Sequence, residues 1–147
     1  MANEVIRVYG TTKTLEANGS SIVNNAIVQA DDATYSTTSD GSNYPDARFA
    51  ASFTFSVAPT EGTVLALIAR TLDIDGTADA EVPEATRVDR YIGSFTVNNV
   101  TSLQYAECVA TDVPVLASYY LLNSGTGQTV SAGWTLKVTP QSYKPAP

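Results

Sequence analysis

The stretch from Arg48 to Leu72 is the part of this chain that most restricts its fold. Phe49, Ala51, Phe53, Phe55 and Val57 fall on one face of an extended segment, and Ala50, Ser52, Thr54 and Ser56 on the other. That is the period-two pattern of a half-buried strand. Ala58-Pro59-Thr60-Glu61-Gly62 then interrupts it with turn chemistry, because proline presets its own φ and lacks a donor. Val64 to Ala69 follows as an unbroken apolar run. It is too short to cross a membrane and suits a strand covered on both faces. The two segments are expected to form the central hairpin of an all-β domain.

The remaining chain supports that class. Glu4 to Tyr9 and Thr11 to Leu15 read as short, charged strands of the kind found at a sheet edge or in a docking arm. From Ile22 to Tyr44 the alternation fades, and the stretch reads as loop, with Ser21 capping one helical turn through Ala26. Tyr91, Gly93, Phe95 and Val97 alternate with Ile92, Ser94 and Thr96, and Asn98-Asn99 turns that strand into Leu103 to Val109. Val115 to Leu122 is apolar on both faces, and Trp134, Leu136 and Val138 alternate in a last strand. Pro140 to Pro147 holds three prolines and reads as an extended tail that a sheet interior would not accept.

These elements predict a jelly-roll-like antiparallel β-sandwich of about eight strands, with a plainer sandwich as the alternative. No strand–helix alternation argues for a parallel sheet. The expected organisation is one domain. It comprises an N-terminal arm and loop-rich segment at 1–47 packing on or beyond the sandwich, a sandwich core at 48–139, and a proline-rich tail at 140–147.

Composition narrows the chemistry. A chain of 147 residues with 44% hydrophobic content buries roughly two-thirds of its unfolded surface. A formal charge of −7 repels phosphate backbones and anionic lipid, so neither nucleic acid nor membrane is an expected partner. The chain has no histidine, which excludes Ser-His-Asp and Cys-His arrangements and His-ligated zinc. The lone cysteine, Cys108, cannot form an internal disulfide and is expected to be a buried, inert thiol. Met1-Ala2-Asn3-Glu4 shows neither a basic region nor an apolar run, so no signal peptide is expected and synthesis is placed in a cytoplasm.

Four features carry possible chemistry. Asp73, Asp75, Asp79 and Glu81 with Gly76 put carboxylates on one loop, as calcium sites do. Their spacing lacks the bidentate glutamate and correctly placed glycine of an EF-hand, so a solvated loop is expected. Paired carboxylates also occur in glycoside hydrolysis, but nothing in the sequence marks a cleft or a raised pKa. Gly125-Thr126-Gly127-Gln128-Thr129 lacks the lysine of a phosphate loop and reads as a hairpin loop. Trp134 with Tyr35, Tyr44, Tyr119, Tyr120 and Tyr143 would suit a sugar-stacking platform, yet the phase of Trp134 places it in the core. No catalytic, cofactor-binding or metal-binding residue is assigned, and no cofactor is expected.

The landmarks Phe53-Thr54-Phe55, Ala58 to Val64, Asp75-Gly76-Thr77, Tyr91 to Phe95 and Gly125 to Val138 together resemble small structural proteins of tailed bacteriophages. Within that group the chain is similar to capsid decoration (cement) proteins. The resemblance implies a jelly-roll-like domain on the capsid exterior, bound to the major capsid protein and fastening neighbouring capsomers. It also implies a homo-oligomer, with a trimer favoured, terminal arms that make the contacts, and no enzymatic activity. A glycan-binding β-sandwich displayed on a virion is the alternative.

Overall fold

The computed structural model describes residues 4–41, 43–72, 81–88 and 90–146. Nine strands and no helix appear among them. They are β1 (Val5–Tyr9), β2 (Lys13–Gly19), β3 (Ile27–Ser36), β4 (Asp46–Phe53), β5 (Val64–Thr71), β6 (Arg90–Thr96), β7 (Gln104–Ala110), β8 (Leu116–Ser124) and β9 (Trp134–Pro145). One sheet runs β1-β9-β4-β7, with β2 also paired to β9, and the other runs β3-β8-β5-β6; every pairing is antiparallel. Without β1, the orders 2-9-4-7 and 3-8-5-6 form the two facing sheets of a jelly roll.

The period-two segments supply the core. On β4, Ala47, Phe49, Ala51 and Phe53 are buried, alternating with half-buried Asp46, Arg48, Ala50 and Ser52. They share one core with Trp134, Leu136 and Val138 of β9, with Leu65 and Leu67 of β5, and with Tyr119 and Leu121 of β8. The Phe49 and Tyr119 rings meet across the two sheets with centroids 4.9 Å apart. Behind β5, a second cluster of Ala66, Ile68, Tyr120 and Leu122 is also buried, so β5 is covered on both faces.

Four sequence expectations need correction. The segments Phe49–Phe55 and Val64–Ala69 are not a hairpin: β4 and β5 lie in different sheets and face each other across the core. Alternation specifies which face is buried, not which strand is the hydrogen-bonded neighbour. The stretch after Ile22 is not loop, because it contains the ten-residue β3. A register shift between Ala30 and Tyr35 breaks the alternation there and hides the strand. No helical turn follows Ser21; a tight turn with Asn25 at φ 62° leads into β3 instead. Finally, Pro140 lies buried inside β9. Its carbonyl accepts from Gly10 N–H at 2.8 Å, so its donor-less edge faces the break between β1 and β2, where no ladder bond is lost.

Candidate functional site

The chemical candidates resolve into structural roles. Cys108 is half-buried on β7 beneath Gly93 of β6, where an added Cβ would stand 2.9 Å from its sulfur. Burial pushes its thiol up to about 11, away from the thiolate that nucleophilic chemistry requires. Trp134 lies in the core with its indole N–H donating to Ser20 C=O at 2.7 Å. Its ring covers Gly19 so closely that a Cβ there would come within 2.0 Å. Tyr35, Tyr119 and Tyr120 are buried as well, so the sugar platform is not assembled.

The loop after Ser124 is likewise occupied with its own backbone. Thr126 Oγ1 donates to Asn123 Oδ1 at 2.6 Å, and Asn123 Nδ2 donates to Ile22 C=O at 3.0 Å and Gln128 C=O at 2.8 Å. Asp73, Asp75, Gly76 and Asp79 lie outside the described residues, and Glu81 pairs with Arg87.

A carboxylate group that the sequence did not announce is Glu16, Asp31 and Asp32, each of which places one oxygen within 4.8 Å of the other two. Two of the three carboxylates, Glu16 and Asp32, already accept from backbone. Glu16 takes the N–H of Asn18 at 2.9 Å and of Asp31 at 3.1 Å, and Asp32 takes that of Ala17 at 2.7 Å. They peg β2 to β3, joining the two sheets along one side. A further polar contact, Lys13 Nζ to Asp40 Oδ2 at 2.8 Å, lies in an open depression lined by Thr11, Thr12 and Ser39. Partial burial works against the Asp40 charge. Lys13 and the Ser36 N–H outweigh it and hold the carboxyl below its ordinary range.

The surface with the composition of a binding site is the end of the first sheet. Beyond Gln141, β9 has left β4 behind and, among the described residues, pairs only with β1, so the two strands continue as a ribbon. Val5, Ile6, Tyr9 and Tyr143 are all exposed on it. On one face, side chains stack as alternating cations and rings. The Arg48 guanidinium lies 5.2 Å from the Tyr9 ring centre and that of Arg7 lies 5.6 Å from Tyr143. Arg7 also donates to the Tyr9 hydroxyl at 3.3 Å and the Tyr143 hydroxyl at 3.2 Å. On the other face, Lys144 Nζ lies 5.4 Å from the Tyr44 ring. Arg7, Lys13, Arg48, Lys137 and Lys144 thus gather on the strands of one sheet in a chain whose net charge is −7. Tyrosine and arginine are the residue types most enriched where protein contacts carry binding energy. The strand from Glu4 to Tyr9 was legible in sequence as an edge strand or docking arm, but its partner Tyr143, more than a hundred residues away, was not.

No protein-family model matches this chain, and neither does any curated protein. Solved structures give distant likenesses. A chain of infectious bursal disease virus Gx strain is 15% identical with a TM-score of 0.40, over 97% of this chain and 37% of that one. This protein therefore spans little more than a third of its length. Desmodium yellow mottle tymovirus gives 13% identity and a TM-score of 0.36, over 98% and 88% of the two chains. A protein of Bacillus endospore appendages, described as disulfide-linked pili, gives 11% and 0.27, over 100% and 96%. At these identities and scores none of them decides what the chain does.

Proposed function

We propose that this chain is a non-enzymatic structural protein of a virion, a decoration protein that sits on the outside of a tailed-phage capsid and fastens neighbouring capsomers. The observation that carries the reading is the β1–β9 ribbon, which presents apolar, aromatic and cationic side chains on a two-stranded projection from an acidic body. Two strands alone are marginal in water, so a projection of this kind gains order from what it rests against. The arm role belongs to residues 4–10 and 141–146, inside the 1–47 and 140–147 segments, and residues 13–139 hold the jelly roll. The bacteriophage resemblance in sequence supports the same assignment.

The test is co-sedimentation. Capsids assembled from the major capsid protein encoded in the same genome, without this chain, are mixed with purified protein and pelleted. Saturable binding is expected, together with greater resistance of the capsids to heat. A protein that stays in the supernatant at every ratio would remove the decoration reading. Binding to an immobilised glycan set instead would favour the sugar-binding alternative.

A further inference from the structure

The two outer edges of the first sheet are complementary to each other. From this we infer that copies of this chain associate head to tail, the β1 edge of one copy adding to the β7 edge of the next. The inference deepens the reading above by naming one partner of the ribbon, a second copy.

The backbone comes first. In an antiparallel ladder, successive residues turn their N–H and C=O groups to opposite sides. Gly10 N–H donates to Pro140 C=O at 2.8 Å and Ala146 N–H to Glu4 C=O at 2.8 Å. Even-numbered residues of β1 therefore bond to β9, and Val5, Arg7 and Tyr9 turn their backbone groups to the open edge. The same alternation passes across the sheet. Pro140 is committed to the β1 side, so Thr139 and Gln141 bond to Arg48 and Asp46. Ala47, Phe49 and Ala51 are then left to bond Ala110, Cys108 and Ala106 of β7. Tyr105, Glu107 and Val109 face the other open edge. Among the described residues, β1 pairs only with β9 and β7 only with β4.

The side chains agree with the backbone. Following the paired residues across the sheet, Val5, Arg7 and Tyr9 stand on the same outer face as Tyr105, Glu107 and Val109. Three antiparallel pairings separate β1 from β7, so a second copy in the same orientation brings its β1 antiparallel to β7. One register then places Arg7 opposite Glu107, Tyr9 opposite Tyr105 and Val5 opposite Val109. On the other face, Ile6 meets Cys108 and Val8 meets Ala106. Every pair is apolar, aromatic or oppositely charged, which are the favourable cross-strand combinations. Arg7 and Glu107 are the single charges of their strands, and both are exposed. Pairing β1 with β1, or β7 with β7, about those positions would oppose like charges. The charges thus select the mixed pairing, and they do so on edges that otherwise lack the lysine or proline guards of a solitary sheet. The contact is heterologous, so it closes a ring where the rotation permits and otherwise extends a filament.

The experiment is sedimentation velocity and light scattering on the full chain over a concentration series. Wild type is expected to self-associate, more weakly as salt is raised. Arg7→Glu and Glu107→Arg are each expected to weaken association on the order of tenfold, and the double reversal to restore it. A second measurement fixes the register without relying on charge. With Cys108→Ser, the pair Val5→Cys and Val109→Cys should oxidise to covalent oligomers, since opposed residues of a bonded pair lie about 5.5 Å apart at Cα, inside the disulfide range. A wild type that is monomeric throughout, a double reversal that stays as weak as the singles, or a cysteine pair that never cross-links would each overturn the inference. Capsid binding by a chain that does not self-associate would overturn it while leaving the decoration reading intact.

Discussion

Phe53 is fully buried at the end of β4, edge-on to Phe55 with ring centres 6.0 Å apart, in a core cluster drawn from both sheets. Truncating such a side chain leaves a cavity that rigid surroundings do not close. Phe53→Ala is therefore expected to cost about 3–5 kcal/mol and lower the melting temperature by about 10 °C or more. A melting curve that barely moves would show that the core assignment is wrong. Buried hydroxyls and the half-buried thiol make a second prediction. Burial pushes Tyr35 up to about 12 and Cys108 up to about 11, and raises Tyr119 as well. Raised values mean that the folded chain holds these protons after the unfolded chain has begun to lose them. Their contribution to stability is complete below the ordinary values of 9.0 and 10.0 and is lost as pH climbs through the folded-state values. The melting temperature should be flat from neutrality to about pH 9 and fall steeply above it. A flat profile to pH 11 would contradict this burial.

At the scale of elements, β2 and β3 lie in different sheets, and what fastens them is Glu16, a nearly buried carboxylate that accepts two backbone N–H groups. Glu16→Ala strands both donors and is expected to cost about 1–3 kcal/mol, with Glu16→Gln between the two because its one carbonyl oxygen still accepts. Equal melting temperatures for all three proteins would show that the peg is idle. Calcium in the millimolar range should not raise the melting temperature, since the Glu16 and Asp32 carboxylates already accept backbone N–H groups. A rise of several degrees reversed by a chelator would make Glu16, Asp31 and Asp32 ligands after all. The same elements show what could be seen in advance. Strands with clean alternation or unbroken apolar runs, β4, β5, β6, β8 and β9, were legible because burial alone selects their residues. β3 was not, because a bulge shifts its phase, and the pairing of β4 and β5 was not, because a sandwich lets consecutive strands enter opposite sheets. The ribbon was legible as an edge strand and a tail, but their union depends on contact between the chain's two ends.

For the whole molecule, the decisive question is how much of the N-terminal region belongs to the fold. Among the described residues β1 pairs only with the overhanging half of β9, and four of its five residues are exposed. Removing residues 1–10 discards no member of the buried core. It should leave the eight-strand jelly roll cooperative and shift the melting temperature by only a few degrees, about 1 kcal/mol or less for exposed pairs of this kind. Removing residues 1–17 is a different operation. It takes most of β2, the fully buried Leu15 and the Glu16 peg, and it uncovers the β9 edge beside Leu136 and Val138. That chain should fail to fold or should aggregate through the bared strand. The shorter deletion therefore isolates the arm: in calorimetry it should resemble the full chain, while in light scattering and capsid co-sedimentation it should lose assembly. If the 1–10 deletion unfolds, β1 is part of the stability core. If it folds and still assembles like the full chain, the contacts lie on the body of the sandwich and the ribbon is a passive extension.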